Sequence, residues 1–226
     1  IISKVKGIDM KKGFGLLIVF IALFSLSNIV VAKDKRTFTG SIDASEQALH
    51  KLVMEVPVGM VNVQVVDDGA VTYRVDVEDN SSGWSFFATD LDALVLSKQV
   101  TDQTLHLMID EDGISQDWTL NVPKDLALQL QLGVGNVEIN GFSQTLSADI
   151  GVGSAWVEVN SAEYGHVSAA VGVGEIQVHG FEQGNLVKER VIVSDQLTIT
   201  GAGIQQINIE IGVGDVNLSQ DLASKT

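Results

Sequence analysis

Apolar and polar residues alternate with a period of two over most of the chain beyond residue 53. That alternation marks strands with one buried face. Four times it runs through the tripeptide Gly-Val-Gly, at 133–135, 151–153, 172–174 and 212–214. Before the glycines the apolar sets are Leu128, Leu130, Leu132; Leu146, Ala148, Ile150; Val167, Ala169, Val171; and Ile207, Ile209, Ile211. After them come Val137, Ile139; Ala155, Val157, Val159; Ile176, Val178; and Val216, Leu218. Two short strands joined by Gly-Val-Gly describe one coil of a β-solenoid. Glycine admits the backbone values of a tight corner, and the central valine is expected to point inward. The units start 18, 21 and 40 residues apart. The last interval is about double, as if one copy near Val191–Val193 had lost its glycines. One coil cannot bury its own inner face, so neighbouring coils are expected to stack into aliphatic ladders.

The N-terminal half reads as the same material, less regular. Val53 to Gly59, then Met60 to Val66, form a degenerate corner. Asp67-Asp-Gly is a turn, and Val71 to Val77 alternates again. Glu78 to Ser85 is expected to loop out. Leu105 to Ile109, the turn Asp110-Glu-Asp-Gly and Trp118 to Val122 follow, and Pro123 opens the regular array, which spans about 126–219. Only Gln47–Met54 and Leu91–Leu96 have a helical option. Trp84, Phe86 and Phe87 suggest a capping mini-core over the first coil, with an exposed docking patch as the alternative. The pattern predicts an all-β, single-domain β-solenoid of roughly 20-residue coils, capped by its less regular N-terminal half.

The start of the chain reads differently. Met10-Lys-Lys precedes a stretch without charge from Gly13 to Ala32, and Leu16 to Phe24 within it is wholly apolar. That length suits a signal-peptide core. Val30-Val-Ala32 suits cleavage after Ala32, which leaves residues 33–226 as the solenoid domain. An uncleaved anchor is the rival reading. Residues 1–9 would lie upstream of a start at Met10.

Charge and composition narrow the function. The 226 residues carry 14 basic and 29 acidic side chains, a net of −15, with 22 Gly, 2 Pro and no Cys. Lys4, Lys6, Lys11, Lys12 and Asp9 precede the cut, so the mature net charge is −18. Such an excess of acid argues against nucleic acid and against a polybasic membrane surface. Absence of Cys removes disulfides, thiolate metal sites and a Cys nucleophile. Once cleaved, the chain is not expected to insert in a membrane, and an exported protein of the periplasm or cell surface is the expectation.

A family resemblance rests on Leu120-Asn-Val-Pro123, then Leu128-x-Leu-x-Leu-Gly-Val-Gly-Asn-Val-Glu-Ile139, then repeated Gly-x-Gly units followed by alternating strands. Across about residues 53–219, most strongly 118–219, the chain resembles the bacterial putative-adhesin proteins with a "toastrack"-like β-solenoid. The resemblance implies a cell-envelope protein of unassigned biochemistry and carries over no catalytic residue.

Chemistry is sparse. No Gly-x-Gly-x-x-Gly or Gly-Lys-Ser/Thr occurs, and strands rather than helices follow the glycines, so no nucleotide cofactor is expected. The residue after Gly-Val-Gly is Asn136, Ser154, Glu175 or Asp215, too varied for a calcium ladder. His50, His106, His166 and His179 lack metal-ligand spacing, so no metal site is expected. Two outward columns remain as ligand-contact candidates. One holds Glu138, Trp156, Gln177 and Asn217; the other holds Asn140, Glu158, His179 and Ser219. Trp156 is either a contact residue or the cover of a wide coil. Adjacent coils ~4.8 Å apart bring Glu138 and Glu158 towards the ~5 or ~6.5–9.5 Å separations of glycosidase pairs, although no Arg or Lys shares their columns. The expectation is a non-catalytic, adhesin-like envelope module presenting a rigid ladder to a protein or glycan. The alternatives are a carbohydrate-active enzyme using Glu138 and Glu158, and an envelope-stress accessory protein.

Overall fold

A computed structural model describes residues 35–80, 89–160, 164–181 and 184–220. The predicted leader and the aromatic cluster Trp84, Phe86 and Phe87 lie outside them. The described chain is all-β, one open sheet of twelve strands. In chain order these are β1 (Lys35–Asp43), β2 (Lys51–Val66), β3 (Ala70–Asp79), β4 (Ser97–Thr101), β5 (Thr104–Met108) and β6 (Ile114–Pro123). Then come β7 (Ala127–Phe142), β8 (Leu146–Val159), β9 (Tyr164–His179), β10 (Asn185–Val191), β11 (Ser194–Thr200) and β12 (Gln205–Gln220). Of the two segments with a helical option, Leu91–Leu96 holds a 3₁₀ turn at Leu91–Ala93, and Gln47–Met54 is a turn leading into β2.

Five long strands form the solenoid body. Each has a first arm, a corner and a second arm, and all five run parallel in the order β2, β7, β8, β12, β9. Their apolar residues stack across coils as the alternation predicts. One ladder is Leu52, Leu128, Leu146, Ile207 and Val167; another is Val61, Val137, Ala155, Val216 and Ile176. All ten are buried in a single core. The degenerate copy at Val56–Gly59 is a full member of the stack.

The order of the coils departs from the order of the chain, because β12 lies between β8 and β9. After β9 the chain makes a hairpin of β10 and β11. Residues Asp195–Thr200 of β11 pair antiparallel with Val171 back to His166. That hairpin fills the outer side of the first arm of β9, so the last corner strand inserts on the inner side. The interval of 40 residues is therefore a hairpin and not a lost coil. Val191–Val193 forms the hairpin tip, and the Val193 carbonyl accepts a hydrogen bond from Gly174 N–H at 3.0 Å, ending the corner column.

The corner also differs from expectation. Its central valines point outward: Val134, Val152, Val173 and Val213 are 47–48% exposed. The second glycine of each corner, with φ between +144° and +150° at Gly59, Gly135, Gly153, Gly174 and Gly214, turns the chain around the core. Burial thus resumes in the opposite phase beyond it, at Val137 after Leu132, and the apex residue faces away from the core. These glycines are required twice over. Their φ disfavours a side chain, and a Cβ on any of them would collide with the backbone carbonyl of the adjacent coil. Pro57 occupies the first-glycine place in β2. The β5 ladder has already ended at Glu55 and Met108, so no strand there requires its N–H.

The two ends are closed differently. Next to β2, strands β6, β3 and β1 extend the second-arm layer, while β5 and β4 extend the first-arm layer. Trp118 is buried there, donating Nε1–H to Gln116 Oε1 at 3.0 Å, while Gln116 Nε2 donates to the Ile109 carbonyl at 3.0 Å. At the β9 end, β11 and β10 extend the first-arm layer only.

Candidate functional site

The second arms present one broad outer face. Because the glycine corners lock the register, each outward position forms a column across the stack. The first column runs Asn62, Glu138, Trp156, Asn217, Gln177. The insertion of β12 therefore separates Gln177 from Trp156 and places Asn217 between them. In the second, Ser219 lies between Glu158 and His179, while Asn140 pairs with Gln64. The β7–β8 register breaks after Ile139, so Asn140 and Glu158 are not strict partners.

Trp156 is on the outer face and 45% exposed, while its neighbour Ala155 is fully buried on the core side. The indole therefore covers no part of the interior. It stands beside Glu138 on one coil and Asn217 on the next, a flat apolar surface edged by hydrogen-bonding groups. Glu138 is held by Asn140, whose Nδ2 donates to Glu138 Oε1 at 3.0 Å.

Glu158, two residues beyond Trp156, borders a polar hollow of about 590 Å³ at the ends of the second arms. Gln64, Asp67, Lys124, Asn140 and Asn160 also line it, but Glu138 does not. The two glutamates of the enzyme alternative therefore do not share this hollow. Its cation is Lys124, whose ammonium bonds Asp67 Oδ1 at 2.8 Å. That contact, reinforced by the attraction between the charges, pushes the lysine pKa up and the aspartate pKa down. No local pattern places Lys124 here, because it sits in the turn before β7 and meets the columns only through folding.

A second charged group lies at the β9 end. Asp195 is completely buried, although one of its carboxylate oxygens has no hydrogen-bond partner. The other accepts Ile176 N–H at 2.9 Å and lies 3.0 Å from Lys188 Nζ. Lys188 also donates to the Ile176 carbonyl. The pair thus supplies both hydrogen bonds that a further strand would give Ile176. Burial pulls the Asp195 pKa up, but the Ile176 N–H, Lys188 and Arg190 outweigh it and hold the carboxyl below its usual range. Alternation alone marks Asp195 only as an inward position and gives no sign of this role.

Fold and face together define an open β-solenoid of parallel cornered strands that displays fixed side-chain columns. No protein-family model matches the chain, and no curated protein matches it. Several solved bacterial structures are similar to it. A putative cell adhesion protein from Clostridium sporogenes is 13% identical, with a TM-score of 0.46 over 83% of this chain and 100% of that one. A putative adhesin from Parabacteroides merdae is 8% identical, with a TM-score of 0.32 over 83% of this chain and 78% of its own. One from Bacteroides fragilis is 14% identical, with a TM-score of 0.27 over 82% and 98%. Among the described residues no helix is long and apolar enough to cross a membrane.

Proposed function

We propose that this protein is an exported cell-envelope binding module, adhesin-like and non-catalytic, that holds a protein or glycan against its second-arm face. The observation that carries the reading is Trp156. A half-exposed indole in the middle of a rigid ladder, between Glu138 and Asn217, is well shaped for stacking on a sugar ring or an apolar side chain. Its own column supplies the amide of Gln177, and the next column supplies the carboxylate of Glu158, the hydroxyl of Ser219 and the imidazole of His179. Recognition is passive, because the register that fixes these groups is set by the core and the glycine corners. Little ordering is then required on binding.

Probing glycan arrays and envelope fractions with the protein and with Trp156→Ala tests the reading. A retained partner that the variant loses, with an unchanged melt, supports it. A partner bound equally by both moves the contact elsewhere. The export part is checked separately: the secreted or periplasmic form should begin at Lys33.

A further inference from the structure

We propose that the outer edge of β10 is a strand-acceptor site for a partner protein, and that it selects an extended segment with a basic residue between two apolar ones. Sheet edges offer unpaired backbone donors and acceptors, and natural proteins blunt them with charge, shortness or cover. The described sheet has four such edges, and on one of them, the second arm of β9, Asp195 and Lys188 already bond the Ile176 N–H and carbonyl. That of β4 is only five residues long and polar apart from Val100. β1 alternates exposed and half-buried residues, and Arg36 covers Phe38 at 4.5 Å. β10 is different. All seven of its residues are exposed, it pairs with β11 on one side only, and it includes Leu186, Val187 and Val191. The tip continues the apolar surface with Val193 and with Ile192, which is 90% exposed at φ +52°. A β-branched residue is unfavourable in that left-handed conformation, where Gly or Asn is the usual choice.

The register assigns the two faces of the edge. Leu186, Lys188 and Arg190 lie opposite the buried Ile199, Leu197 and Asp195, and so face the core side. The charges there are matched internally: Lys188 meets Asp195, and Arg190 lies 3.6 Å from Glu175. On the outer side Val187, Glu189 and Val191 face Thr198, Gln196 and Ser194. Among the described residues Glu189 has no ion pair. A strand added here places a residue directly opposite each of these three. The complement is therefore apolar, basic, apolar at alternate positions, because cross-strand opposite charges attract and like charges repel.

A second copy of this chain does not provide that complement. In antiparallel two-fold pairing, Glu189 meets the copy's Glu189, Val187 or Val191, according to whether the register centres on Glu189, Lys188 or Arg190. The last two registers also set Lys188 against Lys188 or Arg190 against Arg190. Charge thus favours a foreign strand over self-association, and the acidic protein attracts a cationic one.

The test is fluorescence anisotropy with the heptapeptide Thr-Val-Thr-Lys-Thr-Val-Thr and its Glu-centred counterpart. The Lys peptide should bind at least tenfold more tightly. Glu189→Lys should reverse the preference, and Glu189→Gln, which keeps size and exposure, should erase it. Methylating alternate amides of the Lys peptide should abolish binding in one phase and spare it in the other. Equal binding of both peptides, binding of neither, or indifference to methylation in both phases would overturn the proposal. A dimer joined through β10 in sedimentation and cross-linking would assign the edge to a second copy. Binding that appears only after deletion of residues 221–226 would assign it to the chain's own tail. Trp156→Ala should bind the Lys peptide as the parent does, because the two surfaces are separate, and loss of that binding would overturn the proposal.

Discussion

A side chain on Gly153 would collide with the backbone carbonyl of Gly135 in the next coil. The same relation recurs along the corner column, from Gly59 against Gln116 to Gly174 against Gly214. Stacking and turning thus depend on the same glycines. Gly153→Ala should therefore cost about 3 kcal/mol or more, combining a strained φ with overpacking against an immovable backbone. Gly141→Ala is the control. Its φ is +73°, but a Cβ there would meet nothing closer than 3.9 Å. It should cost only about 1 kcal/mol. Thermal melts compare the two, and equal losses would show that stacking adds nothing to the corner.

The outward valines make the opposite prediction. Val152→Ser should change stability by less than about 0.5 kcal/mol, the range for exposed positions. A loss of about 2 kcal/mol in a denaturant titration would mean that the corner valine packs inside after all.

Trp156→Ala should likewise leave the melting temperature within about 2 °C, because the indole covers no core residue. Unfolding on truncation would remove it from the contact face and return it to a structural role.

Asp195 links pH to the β9 end of the stack. Its folded pKa is below the unfolded value, so its stabilisation is present above the unfolded pKa and is lost as pH falls through the folded one. Acid should therefore destabilise the protein below about pH 4, and Asp195→Ala should reduce that dependence. The variant should also lose about 2 kcal/mol at neutral pH, since Ile176 N–H and Lys188 are left without their acceptor. Urea titrations at several pH values read both effects, and an unaltered pH profile in Asp195→Ala would assign the acid sensitivity to other carboxylates.

By itself the sequence did not determine β1, β4 or the β10–β11 hairpin, but it did determine the cornered strands, their inward faces and the corners. These follow from local chemistry: a period of two, glycine at fixed offsets, and aliphatic residues that no single coil can bury. The outward position of Trp156 followed from the same count, since Ala155 and Val157 take the inward places. Tertiary structure decided what depends on contacts distant in the chain. The order of coils was one such matter, because identical Gly-Val-Gly edges fit each other in any order, and only the β10–β11 hairpin directs β12 between β8 and β9. That choice set Asn217 rather than Gln177 beside Trp156. The direction of the corner valine was another, fixed by the path of the backbone around a shared core rather than by alternation. Lys124 beside Asp67 is a pairing that no local pattern encodes, and although Asp195 and Lys188 meet across the β10–β11 hairpin, only the docking of that hairpin on β9 sets Ile176 against both.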